Sequence, residues 1–128
     1  MAIRCVVVTP ERTELDREAE SVVLPMFDGE LGIMKGRAAM IGRLGFGTLR
    51  LQTPSGPERY YVDGGFAQVE DDVVNILTSR AIAVDLLDSE EAQKALEEAQ
   101  EMPSSTPEQS QIKDTAVRRA RGQVRAAR

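Results

Sequence analysis

Few residues of this chain could do chemistry, and their spacing works against it. Histidine is absent, which removes the commonest general base near neutral pH and the commonest metal ligand. The one cysteine, Cys5, therefore has no imidazole to activate it as a nucleophile and no companion with which to hold zinc. Asp28 with Glu30, and Asp71 with Asp72, are acid pairs close in sequence. Paired carboxylates can divide acid and base roles when their environments separate their pKa values. Both pairs, however, lie in turn-like sequence, where Asp is favoured for the hydrogen bonds it makes to its own backbone. The segment Asp85-Leu86-Leu87-Asp88-Ser89-Glu90-Glu91 is rich in acid but lacks the glycine and the ligand spacing of a calcium loop. Gly64-Gly65 could cradle a phosphate, yet no Lys-Ser/Thr follows and no helix opens there. No catalytic residue, metal site or cofactor is expected, and the chain does not read as an enzyme by itself.

The elements that must position these residues are short strands. Ile3–Val8 is a β-branched run ended by Thr9-Pro10, and Glu18–Leu24 is a second, stopped by Pro25. Asp28-Gly29 and Gly32 punctuate the next segment; Thr48–Gln52 reads as a strand closed by Thr53-Pro54-Ser55-Gly56-Pro57. Tyr60–Val62, Phe66–Val69 and Val73–Thr78 follow, the last two joined at Glu70-Asp71-Asp72. Many short strands at this turn spacing predict an all-β sandwich, with Asp63-Gly64-Gly65 as a bulge or sharp bend where backbones approach closely. With no Trp and five aromatic residues, its core must be aliphatic. Cys5, inside the first run, is expected to be a buried, inert thiol. A net charge of −5 argues against a general nucleic-acid binder, whose footprint is basic. No leader-like segment precedes the first strand and no apolar run approaches ~18 residues, so a cytosolic protein is expected, associated with a membrane only through partners.

After Val84 the pattern turns helical. Asp88 with Glu91 forms a capping-box-like start, and Ala92, Ala95, Leu96 and Ala99 share one helical face. Met102-Pro103-Ser104-Ser105 breaks that helix. Thr106-Pro107 with Gln109 is a second start, and Ile112, Ala116, Ala120 and Val124 make a thin stripe weakened by Gly122. The prediction is a β domain over residues 1–84 and a helical hairpin over 85–128. Its apolar faces are mostly alanine, so at ~25 cal/mol per Å² it is held down only weakly. Charge is divided between the helices: Asp85–Glu101 carries seven acids against one lysine, and Lys113–Arg128 one lysine and five arginines against Asp114. The two are complementary if the helices lie antiparallel.

Val22–Leu51 and Tyr60–Leu77 carry a family resemblance. The first matches LP-x-x-x-G-x-LGI-x-x-GHAP followed by L-x-x-G-x-L, and the second x-V-x-GG-F followed by strand, turn and strand. In that order and spacing they resemble the N-terminal domain of the epsilon subunit of F-type ATP synthases, over about the first 88 residues. The resemblance implies a β-sandwich of about ten strands followed by a two-helix hairpin. It also implies a place at the foot of the rotor's central stalk, on the gamma subunit and against the ring of c subunits, at the cytoplasmic face of a bacterial inner membrane. There the subunit helps proton-driven rotation of the ring drive ATP synthesis at the catalytic head. The stretch Gly29-Glu30-Leu31-Gly32-Ile33-Met34-Lys35-Gly36-Arg37-Ala38-Ala39 occupies the family's ring-facing loop, so Glu30, Lys35, Arg37 and Ala38 are its implied ring contacts. Arg37 stands in the histidine position of that motif and Ala39 in the proline position, and an arginine keeps a donor able to grip a carboxylate. Some bacterial members bind ATP through I/L-D-x-x-R-A. Here Leu87-Asp88-Ser89-Glu90-Glu91-Ala92 keeps Asp88 but puts Glu91 where the arginine would meet phosphate, so direct ATP sensing is not expected. The family's helices can extend and block rotation in the hydrolysis direction, their basic residues meeting an acidic segment of the catalytic beta subunits. Arg118, Arg119, Arg121 and Arg125 suit that inhibitory role. The rival reading is a stand-alone β-sandwich ligand-binding module with a helical tail, although exposed aromatics suited to stacking on a sugar are scarce.

Overall fold

The computed structural model describes residues 2–127. Eight strands precede two helices: β1 Ile3–Val8, β2 Thr13–Ala19, β3 Ser21–Met26, β4 Gly29–Met34, β5 Met40–Thr53, β6 Gly56–Glu70, β7 Val73–Leu77 and β8 Ala81–Ala83. A short 3-10 turn, Val84–Leu86, leads into α1 Ser89–Gln100 and α2 Pro107–Ala126. The strands run β2-β1-β7-β6-β5-β3-β4, with β8 pairing the first half of β6. β1 and β7 pair in parallel; the other ladders are antiparallel. The sheet folds back on itself: Glu20 N–H donates to the Gln52 carbonyl at 2.7 Å, tying the β2–β3 corner to β5.

The two layers enclose an aliphatic core to which every long strand contributes, among them Cys5, Val22, Leu24, Leu49, Val62, Val74 and Ile76. Alternation accounts for most of it, since in β1 the side chains of Ile3, Cys5 and Val7 turn inward and Arg4 outward. Cys5 is fully buried, as its neighbours predict, and burial pushes its thiol from 9.0 up to about 12. A thiol reagent at pH 8 should leave the native chain unmodified and label it fully once unfolded, a difference that mass spectrometry reads directly. The sign of the linkage follows. Between pH 9 and 12 the unfolded chain loses a proton that the folded chain keeps, so this thiol's contribution to stability falls as pH rises through that window.

The segmentation differs from the sequence reading in instructive places. Glu18–Leu24 is not one strand. Ala19 and Val22 are both completely buried, yet residues three apart face opposite sides of a straight strand, so the chain turns at Glu20 and starts β3. Pro25 lies inside β3 rather than ending it, at the register irregularity between Val23 and Met26 in the ladder to β5, where a missing N–H costs no ladder bond. Phe66–Val69 and Tyr60–Val62 belong to the single strand β6, because Asp63-Gly64-Gly65 bends the chain without leaving the ladder. Register against β5 is the same on both sides, Leu44 opposite Gly65 and Phe46 opposite Asp63. At the bend β6 changes partner, from β8 to β7, and a Cβ on Gly65 (φ +110°) would collide with the Leu77 carbonyl oxygen. The expected close approach of backbones is there. The β6–β7 turn is Asp71-Asp72, both at positive φ (51° and 63°), the two-residue hairpin geometry that Asp tolerates better than most residues.

Both helix starts are capped as the sequence predicts. Asp88 Oδ1 accepts from the backbone N–H of Glu90 (2.9 Å) and Glu91 (3.2 Å). Thr106 Oγ1 accepts from Gln109 N–H at 3.1 Å, and the Gln109 amide oxygen takes the Ser105 N–H and hydroxyl. The charge complementarity of the helices is not expressed as pairing: among the described residues no ion pair joins α1 to α2. They meet through small side chains, Ala92 and Ala99 being buried on α1 and Ala120 on α2. That leaves the acids of α1 pointing at solvent and frees the arginines of α2 for other partners.

Candidate functional site: the seat of the helical hairpin

α2, not α1, carries the hairpin's seat: it packs on β5 and β6, whereas α1 packs chiefly on α2. The contacts stack along one face of α2 at Arg119, Gly122 and Ala126. Lowest is Ala126, buried in a small second core with Tyr61 and Val84, flanked by Phe46 and Leu87. Above it Gly122 lies directly on β5: a Cβ there would stand 2.7 Å from the Phe46 carbonyl oxygen. The glycine that weakens the helical pattern is thus the notch that lets helix and strand touch.

Arg119 is held at both ends. Its Nε donates to Asp63 Oδ1 at 2.8 Å, and its carbonyl lies 3.3 Å from the Tyr61 hydroxyl, which is also 3.2 Å from Asp63 Oδ1. The Asp63 side chain is 10 % exposed and that of Arg119 46 %. Burial, with the Asp63 charge adding to it, raises the Tyr61 phenol far above its ordinary value, so it remains a donor. Asp63 itself is fixed by the β6 bend: its N–H faces the Arg80 carbonyl (3.1 Å) and Thr78 Oγ1 (3.2 Å), and its carbonyl accepts from Ser79 Oγ at 3.1 Å. Arginines also lie over the aromatic rings here: Arg119 is 5.5 Å from the Phe46 centroid, and Arg43 and Arg118 are 4.6 and 5.9 Å from that of Phe27, within cation–π range.

Beside the seat opens a cleft of about 770 Å³ lined by Arg43, Arg118, Arg119, Arg121 and Arg125 with a single acid, Asp63. Arg118 pairs with Asp114 on its own helix at 3.3 Å, while Arg43, Arg121 and Arg125 make no ion pair among the described residues. This chemistry grips carboxylates or other anions. Among the described residues no group of His, Cys, Asp or Glu could hold a metal ion. The four arginines singled out on α2 are therefore brought together. Asp63, Tyr61, Phe46 and Gly122, which complete the seat, were not legible as a site; the one signal was a glycine interrupting an otherwise regular stripe.

The stretch from Glu30 to Ala38 is divided. Glu30 lies on β4 and pairs with Arg50 at 3.1 Å, near the seat. Lys35, Arg37 and Ala38 follow the far end of β4, roughly 16 Å along the strand. There Gly36 N–H donates to Asp72 Oδ1 at 2.7 Å, binding this turn to the β6–β7 turn. Arg37 and Ala38 are exposed. Asp88 is occupied as the cap of α1.

With this geometry in hand, comparison with known proteins is decisive. The family model for the β-sandwich domain of the ATP synthase delta/epsilon chain matches residues 2–84. The ATP synthase epsilon chain of Rhodopirellula baltica is 80 % identical over the whole of both chains. That of Nostoc is 36 % identical over 99 % of this chain and 97 % of its own. The fold overlays a chain of the Euglena gracilis mitochondrial ATP synthase complex of OSCP, F1 and c-ring with a TM-score of 0.88, 25 % identity, and coverage of 99 % of this chain and 82 % of that one. A chain of the Tetrahymena thermophila central stalk and c-ring structure shares the fold, with a TM-score of 0.75 and 15 % identity over 98 % and 96 % of the two chains. A sandwich with a glycine-rich bend, a capped helical hairpin seated on it, and sequence identity across the whole length thus agree: the chain belongs to the delta/epsilon family of ATP synthase chains.

Proposed function

We propose that the chain is an epsilon-type rotor subunit of the central stalk, without catalytic residues of its own. In this reading it couples rotation of the c ring to ATP synthesis at the catalytic head, and its hairpin restrains ATP hydrolysis. The observation that carries the coupling role is the outer face of the β7-β6-β5 sheet. Phe66 and Leu77 are directly opposed there, Ile41 shares the face, and the three are 58 %, 57 % and 74 % exposed. Contiguous exposed apolar side chains favour a protein partner, and the gamma subunit is the partner assigned to them. Lys35, Arg37 and Ala38, grouped at one end of the sandwich, are assigned to the polar loops of the c ring. Residues 1–84 act as the anchor and 85–128 as the regulatory part. No helix among the described residues is long and apolar enough to cross a membrane, so attachment to the cytoplasmic face of the membrane is through the ring and gamma. Glu91 places a carboxylate where a triphosphate would need a cation, so ATP is not assigned as a ligand.

The test is ATP hydrolysis by the catalytic head with gamma, titrated with the full chain and with a variant carrying glutamine at Arg118, Arg119, Arg121 and Arg125. Wild type is expected to bind gamma and inhibit. The variant should bind equally while its half-inhibitory concentration rises at least about tenfold, the equivalent of one lost arginine–carboxylate contact. Undiminished inhibition would remove these arginines from the mechanism, and failure of both forms to bind gamma would overturn the rotor reading.

A further inference from the structure

The hairpin's hold on the sandwich is small in apolar area and rich in polar contact. The residues of α2 buried against the sandwich are Gly122 and Ala126, which remove little apolar surface from water. Against that, Arg119 is bound through both its guanidinium and its carbonyl, and the carboxylate that receives it is nearly enclosed. A charge-assisted hydrogen bond to such a group is a large share of a weak seat. Arg119 is also one of the arginines assigned above to an acidic partner. One guanidinium engaged with Asp63 and covering the Phe46 ring cannot at the same time be extended from the freed helix.

We propose that Asp63 is a positioning residue that stands in for the acidic partner: it occupies Arg119 while the hairpin is docked, so that docking and engagement of that partner compete for one side chain. This rests on the inhibitory reading of the hairpin. Its particular content is that the two halves of a single ion pair have opposite effects. Asp63 lies on the bend that also fixes Gly65 and the start of β8, so the competitor is built into the most constrained point of the sheet, and the α2 side alone moves.

Two measurements on the full chain test this. The first is amide hydrogen exchange, read by mass spectrometry, of wild type, Asp63→Asn, Arg119→Gln and the double variant. Each single substitution should speed exchange in α2 about tenfold, the double no further than the faster single, and peptides of β1 and β7 should be unchanged. Additive effects of the two singles would overturn the pairing. Arg119→Gln alters only the helix, so the result stands even if Asp63→Asn loosens the sheet. The second is inhibition of ATP hydrolysis by the catalytic head with gamma. Asp63→Asn, which frees Arg119, should lower the half-inhibitory concentration several-fold, and Arg119→Gln should raise it. A merely structural pair would move both in one direction, and that result would overturn the proposal. If no form of the chain inhibits, the inhibitory reading falls and the competition with it, a failure distinct from additivity in exchange.

Discussion

Alanine at Gly65 is expected to destabilise the sandwich by at least about 3 kcal/mol. Two causes act at one position. The backbone sits at φ +110°, where a side chain is strained whatever the space around it. The added Cβ would also run into the Leu77 carbonyl oxygen, with the Leu77 carbonyl carbon and Thr78 Cα close behind. These are backbone atoms, which cannot rotate away as a side chain could. They lie at the end of β7, where β6 passes from β8 to β7, so relief would mean opening two ladders. Against a total stability of about 5–15 kcal/mol for a domain, the variant should unfold at markedly lower denaturant concentration or fail to fold. Equilibrium unfolding in urea checks this. A loss under about 1 kcal/mol would mean that the bend can straighten, and the close approach would then not be what the glycine is for.

At Gly122 substitution should act on docking and spare the fold. Alanine raises intrinsic helix stability by up to about 1 kcal/mol relative to glycine, a gain the helix keeps whether seated or free. Only the seated state suffers the contact with Phe46, whose carbonyl oxygen, carbonyl carbon and Cβ lie 2.7, 3.1 and 3.2 Å from the new Cβ. Overpacking of this kind costs about 1–3 kcal/mol, so the clash decides the docking equilibrium. Gly122→Ala should leave helix content by circular dichroism unchanged or higher while α2 amides exchange up to about a hundredfold faster; Gly122→Val should go further. Unchanged exchange would show that α2 can shift along β5 without losing its seat. Together with the Asp63 variants, this gives two independent ways of loosening one hairpin, one steric and one electrostatic.

How much of this was legible beforehand follows from the range of the forces involved. Ile3–Val8, Val73–Thr78 and both helix starts are local: alternation, β-branching and capping by Asp88 and Thr106 act within a few residues, and the structure reproduces them, the second strand ending one residue earlier at Leu77. Asp63-Gly64-Gly65 was legible as a bend, since paired glycines interrupt a strand pattern, but not as the middle of one 15-residue strand. That required knowing that β5 keeps register across it. The Glu18–Leu24 run misled because neither glycine nor proline marks the corner at Glu20, which burial of Ala19 and Val22 imposes.

The candidate site divides along the same line. The clustering of Arg118, Arg119, Arg121 and Arg125 is a property of one helix and was visible as such, whereas their partner was not. The opposite charges of the two helices suggested that α1 would supply it, but the seat instead faces Asp63, 56 residues away in sequence. Likewise Glu30 and Arg37, neighbours in one motif, are carried to different ends of β4.

By itself the sequence determined that a β domain precedes two helices, and with it the aliphatic core, the helix caps and the family to which the chain belongs. All of these follow from residue type and short-range spacing. The tertiary structure alone decided that Gly122 is a notch, that Tyr61 and Asp63 receive Arg119, and that the acidic face of α1 stays in solvent. Those outcomes depend on which surfaces meet when a bent sheet and a helix are packed, and steric fit at a single carbonyl oxygen, not local preference, makes the choice.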